Sequence, residues 1–190
     1  MDQLQGFIDL IEVDQVARAQ MTRNRLIEHA FGYFNPVMVE HIRDGKVIGT
    51  YKTHNDITNQ GKNDLFDIMF HDGTQIASSS WFIGLISSSG YSALAAADTM
   101  ASHAGWTEFT GYSQATRVAW GPGASASQVI TNSSPATFDI NASGTVKGIF
   151  VPTNSTKGGT TGRLWATALF SADVPVLNGD QLRVTYSVSA

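Results

Sequence analysis

The chain has 190 residues, 42% of them apolar, which is enough for one well-buried domain or for a domain with an arm. Its formal charge of −4 and its lack of any basic run argue against nucleic acid as the main partner, because phosphate binding needs clustered Lys and Arg. The sequence contains no cysteine, which excludes a disulfide scaffold, a thiolate zinc site and a thiol nucleophile.

Charge is concentrated toward the start of the chain. Residues 1–72 carry 7 of the 12 Lys and Arg and 11 of the 16 Asp and Glu, and the remainder is almost uncharged. The acidic start MDQLQGFIDLIEVDQ lacks a basic n-region, and no apolar run approaches the ~18–20 residues of a membrane span. We therefore expect two parts of different composition, one rich in charge and one almost uncharged. The protein is expected to be made in the cytoplasm and to have no membrane contact.

The first part has the periodicity of an amphipathic helix. Leu4, Phe7, Ile8 and Ile11 fall at i, i+3, i+4 and i+7, on one helical face. A weaker continuation runs through Val16, Ala19, Arg23, Leu26, Ile27 and Ala30. Residues 1–30 are predicted to form a helical arm of one or two helices. The arm could dock on a neighbouring subunit, or its apolar face could cover the sheet of its own domain.

A β-hairpin is predicted over residues 37–53. The runs PVMVEHIR and KVIGTYKT flank Asp44-Gly45, and this dipeptide favours a two-residue type I′ turn, which needs positive φ at both positions. Pairing the strands around that turn places His41 opposite Ile48.

A short additional helix is predicted near residues 58–70, in the stretch DITNQGKNDLFDIMFHDG. The residues that could cap its start are Asp56, Thr58 and Asn59. Its apolar face is expected to contain Leu65, Ile68 and Met69, and Gly73 offers a C-terminal stop.

From residue 80 the chain reads as eight short strands separated by Gly, Pro, Ser and Asn. They are SWFIGLI (80–86), GWTEFT (105–110), ATRVAW (115–120), ASQVIT (126–131), ATFDIN (136–141), GTVKGIFVP (144–152), GRLWATALF (162–170) and QLRVTYSV (181–188). Regularly spaced strands with no helices between them indicate a sandwich, jelly roll or barrel. We expect a mainly β fold, with residues 31–190 forming a jelly-roll-like antiparallel β-sandwich.

Residue types suited to hydrolysis occur together at Asp98, Ser102 and His103. A triad needs three converging groups beside an oxyanion hole, adjacent Ser and His do not easily face each other, and no G-x-S-x-G elbow is present. These residues are therefore interpreted as a hydrogen-bonded loop leading into a strand. Glu108 and Asp139 are the strand-centred acids after residue 100, and nothing in the sequence shows them facing each other as a glycosidase pair would.

No metal site is predicted, because the five histidines form no H-x-H, H-x-x-x-H or H-E-x-x-H pattern. No cofactor is predicted either, since the Gly-rich loops lack the following helix and Lys of a phosphate cradle. Aromatic residues remain as contact candidates: exposed Trp and Tyr on the rim of a sandwich can stack on sugar rings. The candidates for surface aromatic contacts are Trp106, Tyr112 and Trp120.

A series of segments in this order resembles a family of small virion proteins from tailed bacteriophages, some of which look like jelly-roll capsid decoration (cement) proteins. The segments are YKTHNDITNQGKNDLFDIMF, WFIGLI, DTMASHAGWTEFTGYSQATRVAW, GTVKGIF, GRLWATALF and NGDQLRVTYSVS. The resemblance covers about residues 50–190, and DTMASHAGWTEF is its most distinctive part.

The resemblance implies a non-enzymatic structural role on the capsid surface of a virion assembled in a bacterial host. The expected partners are the major capsid protein and further copies of the chain, as a dimer or trimer. Leu4, Phe7, Ile8 and Ile11 of the arm are the candidate contact residues. The alternative is a tail-associated receptor- or glycan-binding module that uses the three aromatic candidates.

Overall fold

The computed structural model describes residues 36–189 and shows a mainly β protein with one α-helix. The first strands are β1 (Pro36–Arg43), β2 (Lys46–His54), β3 (Asp56–Ile57) and β4 (Phe82–Ser87). The short middle strands are β5 (Glu108–Phe109), β6 (Val118–Ala119), β7 (Val129–Thr131) and β8 (Ala136–Asp139). The last are β9 (Gly144–Pro152), β10 (Leu164–Val176) and β11 (Gln181–Ser189). Helix α1 spans Asn59–Phe70, and a 3₁₀ turn spans Ser78–Ser80.

All eight strands predicted after residue 80 are present. Those predicted over 105–110 and 115–120 shrink to two residues each, and backbone groups beside them bond to loops, as in Trp106 N–H to the His103 carbonyl and Arg117 N–H to the Ser155 carbonyl. The predicted arm, including Leu4, Phe7, Ile8 and Ile11, lies outside the described residues.

The strands form two antiparallel sheets. The first has the order β2-β1-β11, with β7 and β8 paired one after the other along the free edge of β11. The second has the order β3-β10-β9-β4, with β5 and β6 sharing the free edge of β4 in the same way. The chain crosses repeatedly between them, from β2 to β3, β6 to β7, β8 to β9 and β10 to β11.

Apolar side chains of both sheets meet in one core, which makes the fold a β-sandwich. Val39 and Val184 of the first sheet belong to the same buried cluster as Leu85, Ile149 and Ala168 of the second. Each fully buried Val or Leu contributes roughly 1.5–3 kcal/mol relative to an exposed position, so this core is the main source of stability.

The β1–β2 hairpin is confirmed, but its predicted register is wrong by one residue. Asp44 and Gly45 have φ of 51° and 73°, as a type I′ turn requires. The ladder shifts between His41 and Ile42, so that His41 pairs with Gly49 rather than with Ile48. A bulge of this kind adds one unpaired residue to β2, and the dipeptide turn alone does not reveal it.

Helix α1 begins where predicted and packs against β10 at its N-terminal end. Thr58 is the N-cap, and its hydroxyl accepts a hydrogen bond of 3.0 Å from the Gly61 N–H. Gly61 is buried, and a Cβ there would lie 2.5 Å from the Trp165 carbonyl oxygen, so only glycine permits this approach. The Gly73 N–H bonds to the Asp67 carbonyl, closing the C-terminus.

Within residues 36–189, no helix has the length and apolarity needed to cross a membrane.

Candidate functional site

The second sheet is covered on its outer face by the loop that contains TMASHAGW. Met100 and Trp106 of that loop pack with Ile86, Phe150 and Leu164 in a second buried cluster, separate from the core between the sheets. A cavity of about 270 Å³ lies beside it. Its lining residues include Met100, His103, Trp106, Glu108, Arg117 and Phe150, together with residues 158–160.

A buried ion pair forms one wall of this cavity. Arg117 donates from Nε to Oε1 of Glu108 at 3.0 Å and from a terminal nitrogen to Oε2 at 2.8 Å. The side chains are only 1% and 6% exposed, respectively. The guanidinium also lies 5.0 Å from the centre of the Phe150 ring. Bidentate geometry of this kind is the strongest form of an Arg–carboxylate contact.

The remaining donors of Arg117 bind the loop that follows β9. They reach the carbonyls of Asn154 at 2.9 Å and Gly159 at 2.7 Å, while the Gly158 N–H donates to Glu108 Oε2 at 2.7 Å. Besides each other, Arg117 and Glu108 therefore bind backbone groups of the loop that follows β9. The chemical effect of the pair is to fix the loop over residues 154–159 against the sheet.

Lys157 fastens the same loop at a second point. Its ammonium donates to the carbonyl of Tyr112 at 2.6 Å and lies 3.9 Å from the centre of the Tyr112 ring. Burial lowers the pKa of Lys157, and the negative charge of Glu108 opposes that shift. Burial, reinforced by the charge of Glu108, raises the pKa of the Tyr112 hydroxyl.

The three triad-type residues do not converge on one another. The Asp98 carboxylate accepts hydrogen bonds from the indole N–H of Trp106 at 3.0 Å and from the Ala95 N–H at 2.9 Å. The His103 ring stacks on the Trp106 ring at 3.9 Å, and Ser102 is exposed. This geometry holds the loop against the sheet and agrees with the interpretation of a hydrogen-bonded loop.

A second buried charge cluster lies at the base of the hairpin. Asp180, 2% exposed, accepts hydrogen bonds from Nε and a terminal nitrogen of Arg43 at 2.7 and 2.8 Å, and from the Leu177 N–H at 2.8 Å. Nε2 of His41 lies 2.7 Å from its Oδ2. Arg43, then Leu177 and His41, hold the pKa of Asp180 well below its usual range against the opposing effect of burial. The cluster joins β1 to the turn before β11.

The predicted surface aromatic contacts are corrected by the structure. Trp106 and Tyr112 are 1% exposed and Trp120 is 6% exposed, so none lies on a rim. Tyr112 packs edge-on against Phe138, and the Trp120 indole donates to the Tyr186 carbonyl. These large aromatic side chains lie in loops beside the short strands, and they are stabilised more by burial in the two apolar clusters than by exposure to solvent. The glycan-binding alternative therefore lacks the exposed aromatic residues that were predicted for it.

The possible glycosidase pair is not assembled either. Glu108 lies in the second sheet and is bound to Arg117, whereas Asp139 lies in the first sheet, is exposed and accepts from Gln114 and Gln181. Among residues 36–189, no three His, Asp or Glu side chains are placed to hold a metal ion.

Sequence reasoning missed both buried charge clusters. A weak signal for the first existed, because residues 73–190 carry few charges and Arg117 is the one charged residue between Glu108 and Asp139. Buried arginine requires a partner, but Glu108, Asp139 and Asp98 were equally available by sequence. Only the pairing of β5 and β6 along the same edge of β4 selects Glu108.

Fold and sites together define a class of protein: an antiparallel two-sheet sandwich whose buried charges tie its own loops to its body. No protein-family model matches the chain, and no curated protein matches it.

Proposed function

We propose that the protein is a capsid decoration protein, which binds the outer surface of a phage head and bridges neighbouring major capsid subunits. One structural observation carries the proposal: the buried charges Arg117, Glu108 and Asp180 are engaged in fixing loops to the sandwich. A rigid body whose buried charged groups bind its own loops suits a protein that acts by adhesion to another surface. The resemblance to small virion proteins of tailed bacteriophages supports the same role.

The mechanism follows from repetition. Modest contacts repeated over many copies on one shell gain strength through effective concentration, and so stabilise the shell against the pressure of packaged DNA. The repeated crossing of the chain between its two sheets supports a jelly-roll-like body, which would supply rigidity. Dimers or trimers at a symmetry axis of the shell would place several copies of the arm on adjacent capsid subunits.

The proposed capsid contact is the apolar face of the first half of the arm. Leu4, Phe7, Ile8 and Ile11 share one helical face by their spacing and offer four large apolar side chains. Contact with nucleic acid or membrane forms no part of the proposal. The protein would be made in the host bacterial cytoplasm and carried on the virion surface.

Counting copies on purified virions tests the proposal. Quantitative mass spectrometry, with the major capsid protein as internal standard, should find the chain in a fixed ratio corresponding to hundreds of copies per particle, on the order expected for a component repeated over the shell. A few copies per particle, or location on the tail by electron microscopy, would remove the proposal.

Capsid-binding measurements test the arm. The double variant Phe7→Ser/Ile8→Ser should lose most of its binding to particles, because it removes the centre of the apolar face. Gln3→Ser/Gln5→Ser is the matched control and should bind as the unchanged protein does. Equal binding by both variants would show that this face is not the contact.

A further inference from the structure

Helix α1 has two faces of opposite character. Its inner side is tied to β10: the Leu164 N–H donates to Gln60 Oε1 at 2.7 Å, Asp64 pairs with Arg163, and Gly61 lies against Trp165. Its other side carries four large apolar side chains, here called the outer face of α1. They are Leu65, Phe66, Met69 and Phe70, which are 44%, 48%, 63% and 79% exposed.

The outer face is a cluster rather than a scatter of single residues. Its positions are i, i+1, i+4 and i+5, which are neighbours on a helix, and the rings of Phe66 and Phe70 lie 6.5 Å apart. Single exposed apolar residues need no explanation, but a contiguous group of this size indicates a surface that something else covers.

We propose that residues 16–30 of the same chain cover the outer face of α1. Chain length supports this assignment, because the first described residue, Pro36, lies close to the start of α1. Pro36 pairs with His54, which precedes the first residue of α1 by five positions. Five residues span at most roughly 18 Å, and residues 31–35 provide a connection of the same length on the other side of Pro36.

Length and pattern fit as well. As a helix, residues 16–30 would be about 22 Å long against about 18 Å for α1. Val16, Ala19, Leu26 and Ile27 recur on one face at helical spacing. The mixture of small and large side chains suits the close packing of two helices, because ridges on one fit grooves on the other.

Charge selects this half of the arm over the first half. Residues 16–30 carry three Arg and one Glu, whereas residues 1–14 carry four acidic residues and no basic one. The exposed charges around the outer face are Lys62, which lies on the face one turn before Leu65 and Phe66, and Asp67 and Asp72, which flank it; together they carry a net charge of −1. Arg23 falls on the apolar face of the segment, so on docking its aliphatic stem would lie along the outer face and its guanidinium would extend to a flanking carboxylate. The acidic first half would be repelled there and stays free for another contact.

Cysteine cross-linking tests the inference, because the chain has no cysteine of its own. In the full-length protein, Leu26→Cys/Met69→Cys places one thiol on each proposed facing surface. Met21→Cys/Met69→Cys is the matched control, since Met21 lies on the opposite face of the same predicted helix. Under mild oxidation of dilute protein, the Leu26 pair should form an intramolecular disulfide about tenfold faster or more than the Met21 pair, because docking raises the local thiol concentration.

Charge reversal supplies a second readout in the Leu26→Cys/Met69→Cys background. Arg23→Glu should slow cross-linking, whereas Arg18→Glu, which makes the same change of net charge away from the apolar face, should not. Equal rates for the Leu26 and Met21 pairs, or absence of cross-linking, would overturn the inference. A disulfide-linked dimer as the main product would place the segment on a second copy and would also overturn it. These measurements use purified protein alone, so their outcome is independent of the capsid-binding proposal.

Discussion

The sandwich body and helix α1 differ in which side chains they bury: the body buries charged side chains, whereas α1 exposes large apolar ones. In the body, Arg117 and Asp180 are almost completely buried, yet every bond described for them ends on a partner within the same chain. In α1, four large apolar side chains face outward, and Gly61 is the helix residue that is buried. The difference separates a body whose buried charged groups are satisfied within residues 36–189 from a helix whose apolar face is proposed to be covered by residues 16–30. Substitutions should therefore destabilise the body strongly and α1 weakly.

The largest expected effect follows from breaking the buried ion pair. Arg117→Met leaves the Glu108 carboxylate buried without its cation, and should lower the free energy of unfolding by about 3–5 kcal/mol. Arg183→Met, which changes an exposed arginine on β11 whose Nε bonds to Gln181, is the control and should stay within about 0.5 kcal/mol. Urea unfolding measures both, and equal effects would contradict the account of the body.

The second prediction concerns Asp180 and pH. Asp180→Asn should cost about 1.5–3 kcal/mol at neutral pH, because it weakens charge-assisted hydrogen bonds. The folded pKa lies below the unfolded value of about 3.9, so the unfolded state binds the proton first and the stabilisation fades as pH falls below about 4. The difference in unfolding free energy between the two proteins should therefore stay constant from pH 7 to about 5 and narrow as pH falls below about 4. Exposed Asp139→Asn is the control, and a gap that widens in acid would refute the assignment.

A smaller loss is expected at Tyr186. Its buried hydroxyl accepts hydrogen bonds from the Asn55 amide at 2.8 Å and the Trp165 indole at 2.9 Å. Tyr186→Phe leaves both donors without this acceptor, at a cost of about 1–2 kcal/mol. Thermal denaturation should show a lower Tm for this variant than for Tyr91→Phe, which removes a hydroxyl outside the network. The same Tm for both would show that the network contributes nothing.

The smallest effect on the body is expected from the outer face of α1. Phe70→Ser should change the free energy of unfolding of the sandwich body by less than about 0.5 kcal/mol, because the side chain is 79% exposed and the segment proposed to cover it docks on α1 and not on the sheets. Phe138→Ala, in the core between the sheets, should instead cost about 3–5 kcal/mol. Comparable losses in chemical denaturation would mean that α1 is part of the body's core.

Local signals in the sequence predicted most of the backbone. Asp44-Gly45 predicts the hairpin and Thr58 the helix start, because both depend on interactions within a few residues. The bulge beside His41 and the pairing of Arg117 with Glu108 depend on how strands align across the sheets, which the sequence does not display.

The burial of the three aromatic candidates has the same cause. Trp106, Tyr112 and Trp120 look alike in sequence whether they line a rim or a core, and only the way the loops that carry them fold against the sheets decides which. Exposure of the outer face of α1 was equally hidden, since Leu65 and Met69 are what a packed helix would also show. Helical periodicity identifies an apolar face but not what covers it.

Hydrogen–deuterium exchange on the full-length protein tests the division between body and helix most directly. The variant Leu26→Ser/Ile27→Ser removes the apolar side chains proposed to cover α1 and leaves the body unchanged. Amides of residues 59–70 should exchange faster in the variant, while those of β10 and β11 keep their protection, because local and global opening report separate units. Unchanged exchange in α1, or faster exchange throughout the sheets, would contradict the account.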